Sequence, residues 1–72
     1  MMTKRVREQR REHLIGIMQY RELSRADVAE MLHVSTDTVV AWLKPETSKS
    51  SNPTPQWALE LLDYKIGDKK RG

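Results

Sequence analysis

Apolar side chains recur at helical spacing along this chain, and nowhere do they alternate with the period of two that a half-buried strand requires. Between Ser24 and Lys44, Val28, Ala29 and Leu32 fall at i, i+1 and i+4, one face of a first short helix. Val34 breaks that period. Val39, Trp42 and Leu43 restart it at i, i+3 and i+4, as a second helix in a new direction requires. Ser24 offers a hydroxyl to the free N–H groups at the start of the first helix, and Asp27, three residues on, is the acidic half of a capping box. Ser35 repeats the cap signal, and Pro45 forbids continuation of the second helix. The spacing predicts helices over about 25–32 and 36–43, joined by one tight turn.

Two further helices flank this pair. The first should run from about Val6 or Arg7 to Tyr20, with Leu14, Ile17 and Met18 on its core face and Ile15 partly buried. Gly16 weakens it by about 1 kcal/mol relative to alanine, and a close approach of another backbone would account for a glycine there. The stretch from Pro45 to Pro53 is polar and rich in turn formers, hence a loop. Thr54 followed by Pro55 marks a cap and first turn, opening a helix over about 55–64 that directs Ala58, Leu61 and Leu62 inward. Trp42 and Trp57 are both assigned to the core. The expectation is one all-α domain over residues 1–72 with four helices, at most five, an ordered part over about 7–66, and mobile ends that include Gly67.

Two short helices with a tight turn between them are the helix-turn-helix arrangement. A small residue, Ala29, stands where the two helices would cross, and the bulky Val39 and Trp42 stand where the second must fill the core. On Val28, Ala29, Leu32, Val34, Val39 and Trp42, with Ser35-Thr36 opening the second helix, the chain resembles the phage-repressor-like (Cro/CI, or XRE-type) helix-turn-helix DNA-binding proteins over roughly residues 14–64. The segment from Pro55 to Leu62 is similar to the closing helix of very short phage regulators, among them anti-CRISPR-associated autorepressors. One departure stands in the turn, where His33 occupies the place that usually holds glycine. Positive φ at His33 would cost roughly 1 kcal/mol relative to glycine.

At 72 residues the core is marginal unless helices pack closely or a second chain contributes, so dimerisation is expected. The absence of cysteine removes disulfides and thiolate zinc ligands. With short apolar runs and a charged N-terminus lacking an apolar stretch behind it, the sequence reads as soluble and cytoplasmic, without a membrane span or secretory signal. The net charge of +3 is unevenly spread. Lys4, Arg5, Arg7, Arg10 and Arg11 oppose only Glu8 in the first eleven residues, whereas Glu12, Glu22, Asp27, Glu30 and Asp37 outnumber Arg21 and Arg25 across the middle. Phosphate attraction must therefore come from the flanks.

If the helix from Thr36 to Leu43 buries Val39, Trp42 and Leu43, it presents Ser35, Thr36, Asp37, Val40 and Ala41 as base-reading residues for a major groove. Hydroxyls of Ser35 and Thr36 suit base edges or phosphates, Asp37 can accept from a cytosine amine, and Val40 and Ala41 can meet a thymine methyl. Asp37 has an equal claim as a dipole partner of its own helix. Arg10, Arg11, Arg25, Lys44, Thr47, Ser48 and Lys49 are the expected phosphate contacts, with Ser50 and Ser51 beside them. So weak a set of base readers implies two copies on an inverted repeat, and Leu59, Tyr64 and Ile66 are the expected dimer interface. His13 and His33 stand twenty residues apart without clustered ligands, and Ser24, Asp27 and His33 lack a nucleophile elbow or pocket, so neither a metal, a cofactor, a small-molecule ligand nor catalysis is expected. The expected function is sequence-specific transcriptional regulation of a repressor kind on double-stranded DNA. The acidic middle leaves an alternative, a helical protein-interaction module of antitoxin-like or adaptor type.

Overall fold

A computed structural model describes residues 4–45 and 47–67. The expected mobility of residues 1–3 and 68–72 lies outside the described residues. Four helices carry the fold: α1 (Lys4–Arg21), α2 (Arg25–Leu32), α3 (Thr36–Leu43) and α4 (Gln56–Gly67). α2 packs across both α3 and α4, and α1 lies against α4 and α3. Between them sit Leu14, Ile17, Val28, Ala29, Leu32, Val39, Trp42, Ala58, Leu59 and Leu62, so every helix contributes to one core. Met18, Leu43 and Leu61, expected in the core, are only partly buried at its margin.

The starts of α2 and α3 follow from their caps. Ser24 Oγ accepts from the Asp27 N–H at 3.0 Å while Asp27 Oδ2 accepts from the Ser24 N–H at 2.9 Å, a closed capping box. Ser35 Oγ accepts from the Thr38 N–H at 3.2 Å and shares a 2.8 Å hydrogen bond with the Thr38 hydroxyl. Between the two helices His33 takes the left-handed conformation, φ 59 and ψ 43, and Val34 N–H returns to the Ala29 carbonyl at 3.0 Å. This is the reversal that the broken apolar period requires. The His33 side chain is exposed, so its contribution is the backbone strain. His33→Gly is expected to raise stability by about 0.5–1 kcal/mol, measured by urea unfolding, because relief of strain exceeds the added freedom of the unfolded chain.

Three expectations are corrected. α1 begins at Lys4 and α4 runs on through Gly67, so both helices are longer than their apolar stripes. Gly16 does not admit another backbone: a Cβ added there would meet nothing within 4 Å, and the residue is exposed. Trp57 is 50% exposed and lies on the core's rim, its ring meeting Trp42 edge-on at 6.2 Å and 83°. Trp42, only 6% exposed, is the tryptophan that fills the interior.

Candidate nucleic-acid interface

α3 presents one face to the core and the opposite face outward. Val39 and Trp42 are buried, whereas Ser35, Thr36 and Asp37 are exposed and Val40 and Ala41 half-buried. Asp37 and Val40 lie one turn apart on the outward side, preceded by Thr36 in the first turn. The hydroxyl of Ser35 is engaged in capping, so its first duty is to the helix. Thr38, which the apolar pattern did not single out, joins this group because its hydroxyl meets Ser35 Oγ at the same end of α3. Ala41 is drawn towards the loop, since its carbonyl accepts from the Asn52 N–H at 3.0 Å.

That loop is folded tightly rather than open. Ser48 N–H donates to the Pro45 carbonyl at 2.9 Å and Ser51 N–H to the Ser48 carbonyl at 3.2 Å, two consecutive turns. Lys44 Nζ donates to Ser50 Oγ at 2.6 Å, Ser48 and Ser50 hydroxyls share a bond at 3.3 Å, and Ser51 Oγ donates to the Lys44 carbonyl at 3.0 Å. Lys44 is thereby held beside a row of hydroxyls immediately after α3. Thr47 and Lys49 are exposed on the same loop and Ser48 is half-buried. Arg7, counted in the basic N-terminal block but not singled out as a contact, reaches this loop from α1 and donates through Nη2 to Ser51 Oγ at 3.0 Å. No local pattern could have named it, because its partner lies 44 residues away.

The other expected cations divide. Arg11 is committed within the fold: Nε donates to the Leu43 carbonyl at 2.8 Å and Nη1 pairs with Glu8 at 3.1 Å. It satisfies an orphan carbonyl at the α3 C-terminus and complements that helix's dipole, so its expected role as a phosphate arm gives way to a structural one. Arg10, one residue earlier and 100° around the helix, borders a groove against α4 with Gln56, Glu60 and Asp63, away from the Arg7 and Arg11 side. There the His13 Nε2 lies 3.4 Å from Asp63 Oδ2. Arg25 is exposed at the first position of α2.

The expected dimer surface also divides. Leu59 is only 3% exposed and belongs to the core, because α4 turns it with Ala58 and Leu62 towards the interior, so it is not available to a partner. Tyr64 is 64% exposed and shares the Trp57 side of α4, seven residues or about two turns along, with half-buried Leu61 between them. Ile66 faces another way, half-buried at a groove with Ile17 and Tyr20 of α1.

No helix of the described residues is long and apolar enough to cross a membrane. Comparison of the chain with protein families, with characterised proteins and with solved structures finds no match.

Proposed function

We propose that the α2–turn–α3 unit is a helix-turn-helix and that this protein is a sequence-specific DNA-binding regulator of the phage-repressor-like kind, acting in the cytoplasm. The observation that carries this reading is the outward first turn of α3, where Thr36 and Asp37 stand exposed beyond a fully packed inner face and the Lys44–Ser50 loop follows directly behind. A helix of this size fits a major groove of about 12 Å width. Thr36 and Asp37 meet base edges, Val40 meets a thymine methyl, and Lys44, Thr47, Ser48, Lys49 and Arg25 hold the sugar-phosphate backbone on either side.

Occupation of a promoter by such a domain blocks polymerase without any further chemistry, which makes repression the simplest outcome. Two copies on an inverted repeat double the few base contacts one α3 supplies, with half-sites about 10–10.5 base pairs apart. Trp57 and Tyr64 are the α4 side chains that remain for such a pairing, in place of the buried Leu59.

Selection from a randomised duplex pool tests the reading. The wild type is expected to enrich a short inverted repeat. Thr36→Ala and Asp37→Ala are expected to enrich a different base at one or two positions per half-site, while changing overall affinity by less than about tenfold. Enrichment of the same bases by both variants would leave Thr36 and Asp37 as first-turn residues of α3 alone, Asp37 serving the helix dipole, and enrichment of nothing by the wild type would refute sequence-specific binding.

A further inference from the structure

α4 turns Ala58, Leu59 and Leu62 inward and leaves a second apolar stripe on its outer side. Trp57, 50% exposed, Leu61, half-buried at the core's margin, and Tyr64, 64% exposed, follow one another at spacings of four and three residues. At about 100° per residue the three fall within about 60° of arc, so they form one seam along the helix. A four-and-three spacing is the repeat by which one helix packs lengthwise against another.

The charges beside the seam select its occupant. Glu60 stands about 60° to one side of Trp57 and Lys65 about 80° to the other, and both are exposed. Five residues separate them, the offset at which the flanking positions of two parallel, two-fold-related helices meet. Glu60 of one copy then lies beside Lys65 of the other, twice over. An antiparallel pairing that sets Trp57 on Tyr64 instead brings the two Glu60 carboxylates together, where they repel. Within the chain Glu60 meets the Gln56 amide at 3.2 Å, and Lys65 forms no ion pair among the described residues, so both charges remain for a partner. A face that carries its own complement is what a two-fold contact between identical chains requires.

We infer that the outer face of α4 pairs with the same face of a second copy, the two helices parallel, with Trp57, Leu61 and Tyr64 each meeting its counterpart and Glu60 pairing with Lys65 across the seam. The use of this pairing on an inverted repeat rests on the DNA-binding reading above. Three apolar side chains per copy make a contact smaller than a standard interface, so the pairing is weak in free solution. A duplex that holds two copies side by side raises their effective concentration and closes it.

Charge reversal tests the pairing without touching the core. Self-association, followed by sedimentation equilibrium in the absence of DNA, should weaken about tenfold in Glu60→Lys and in Lys65→Glu, because each turns two attractions into two repulsions. It should return to the wild-type value when both reversals are combined. All three variants should keep wild-type helicity, since both residues are exposed. The chain has no cysteine, so Tyr64→Cys introduces a single thiol, and mild oxidation should join two copies through it because the parallel register sets position 64 against itself. A wild type that stays monomeric up to roughly 1 mM, a concentration at which even a weak specific contact registers, would overturn the proposal and leave the face to a different chain. Self-association indifferent to both single reversals, or oxidation of Tyr64→Cys no faster than that of Asp63→Cys beside the seam, would overturn it as well. Under any of these results, binding of a single half-site by the wild type would leave the DNA-binding reading standing. A dimer with the expected charge dependence in a protein that binds no duplex would uphold the pairing and refute its use on DNA.

Discussion

Trp42→Ala is expected to lose about 3–5 kcal/mol of stability, the cost of an aromatic side chain deleted from a packed core. Trp42 lies among the buried residues contributed by all four helices, and it also supplies the ring on which Trp57 packs edge-on. Its removal thus leaves a cavity and detaches the Trp57 ring, adding roughly 0.5–1.5 kcal/mol for the aromatic pair. Small domains have total stabilities near 5 kcal/mol, so the variant should be largely unfolded at 25 °C. Far-ultraviolet circular dichroism decides this: retention of wild-type helicity with an unchanged urea midpoint would contradict the interior placement of Trp42.

If the proposed reading holds, Lys44→Ala combined with Lys49→Ala is expected to weaken binding to all duplexes about a hundredfold, since two proposed phosphate contacts would disappear together. The slope of log affinity against log salt should fall by about two, one for each cation no longer displaced from the backbone. Base preference should stay as in the wild type, because neither residue touches a base edge in this arrangement. Lys44 is pre-positioned by Ser50 at 2.6 Å and so should account for the larger share. A loss confined to one preferred sequence would contradict these backbone contacts.

The helix pair at the centre was legible because its determinants are local. A cap residue, an apolar triplet and a proline stop lie within a few positions of one another, and Ser24, Ser35 and Pro45 set the limits of α2 and α3 where the structure has them. The left-handed His33 stands at the turn position where the resembled family usually has glycine, and its αL conformation closes the C-terminus of α2. α4 was harder. Its pattern offers Trp57, Leu59, Leu61 and Leu62 on overlapping stripes, and only the position of α1 and α2 decides that Leu59 is interior while Trp57 is half outside.

The cationic residues divided for the same reason. Composition put Arg7, Arg10 and Arg11 in one basic block, but a helix spreads consecutive residues by 100°, sending Arg10 to the α4 side and the other two towards the loop. Arg11 then meets the α3 C-terminus, and Arg7 meets Ser51 across 44 residues of sequence. Contacts of that span depend on how the helices pack, which no window of sequence contains.

The central claim, that the outward end of α3 reads DNA, is tested most directly by fluorescence anisotropy. A labelled duplex carrying the selected inverted repeat is titrated with the protein beside a scrambled duplex of equal length, at two salt concentrations. The account predicts at least roughly tenfold tighter binding to the selected duplex at both salts, with affinity for either duplex falling steeply as salt rises. Equal affinity for the two duplexes, or no binding to either at low salt, would contradict it.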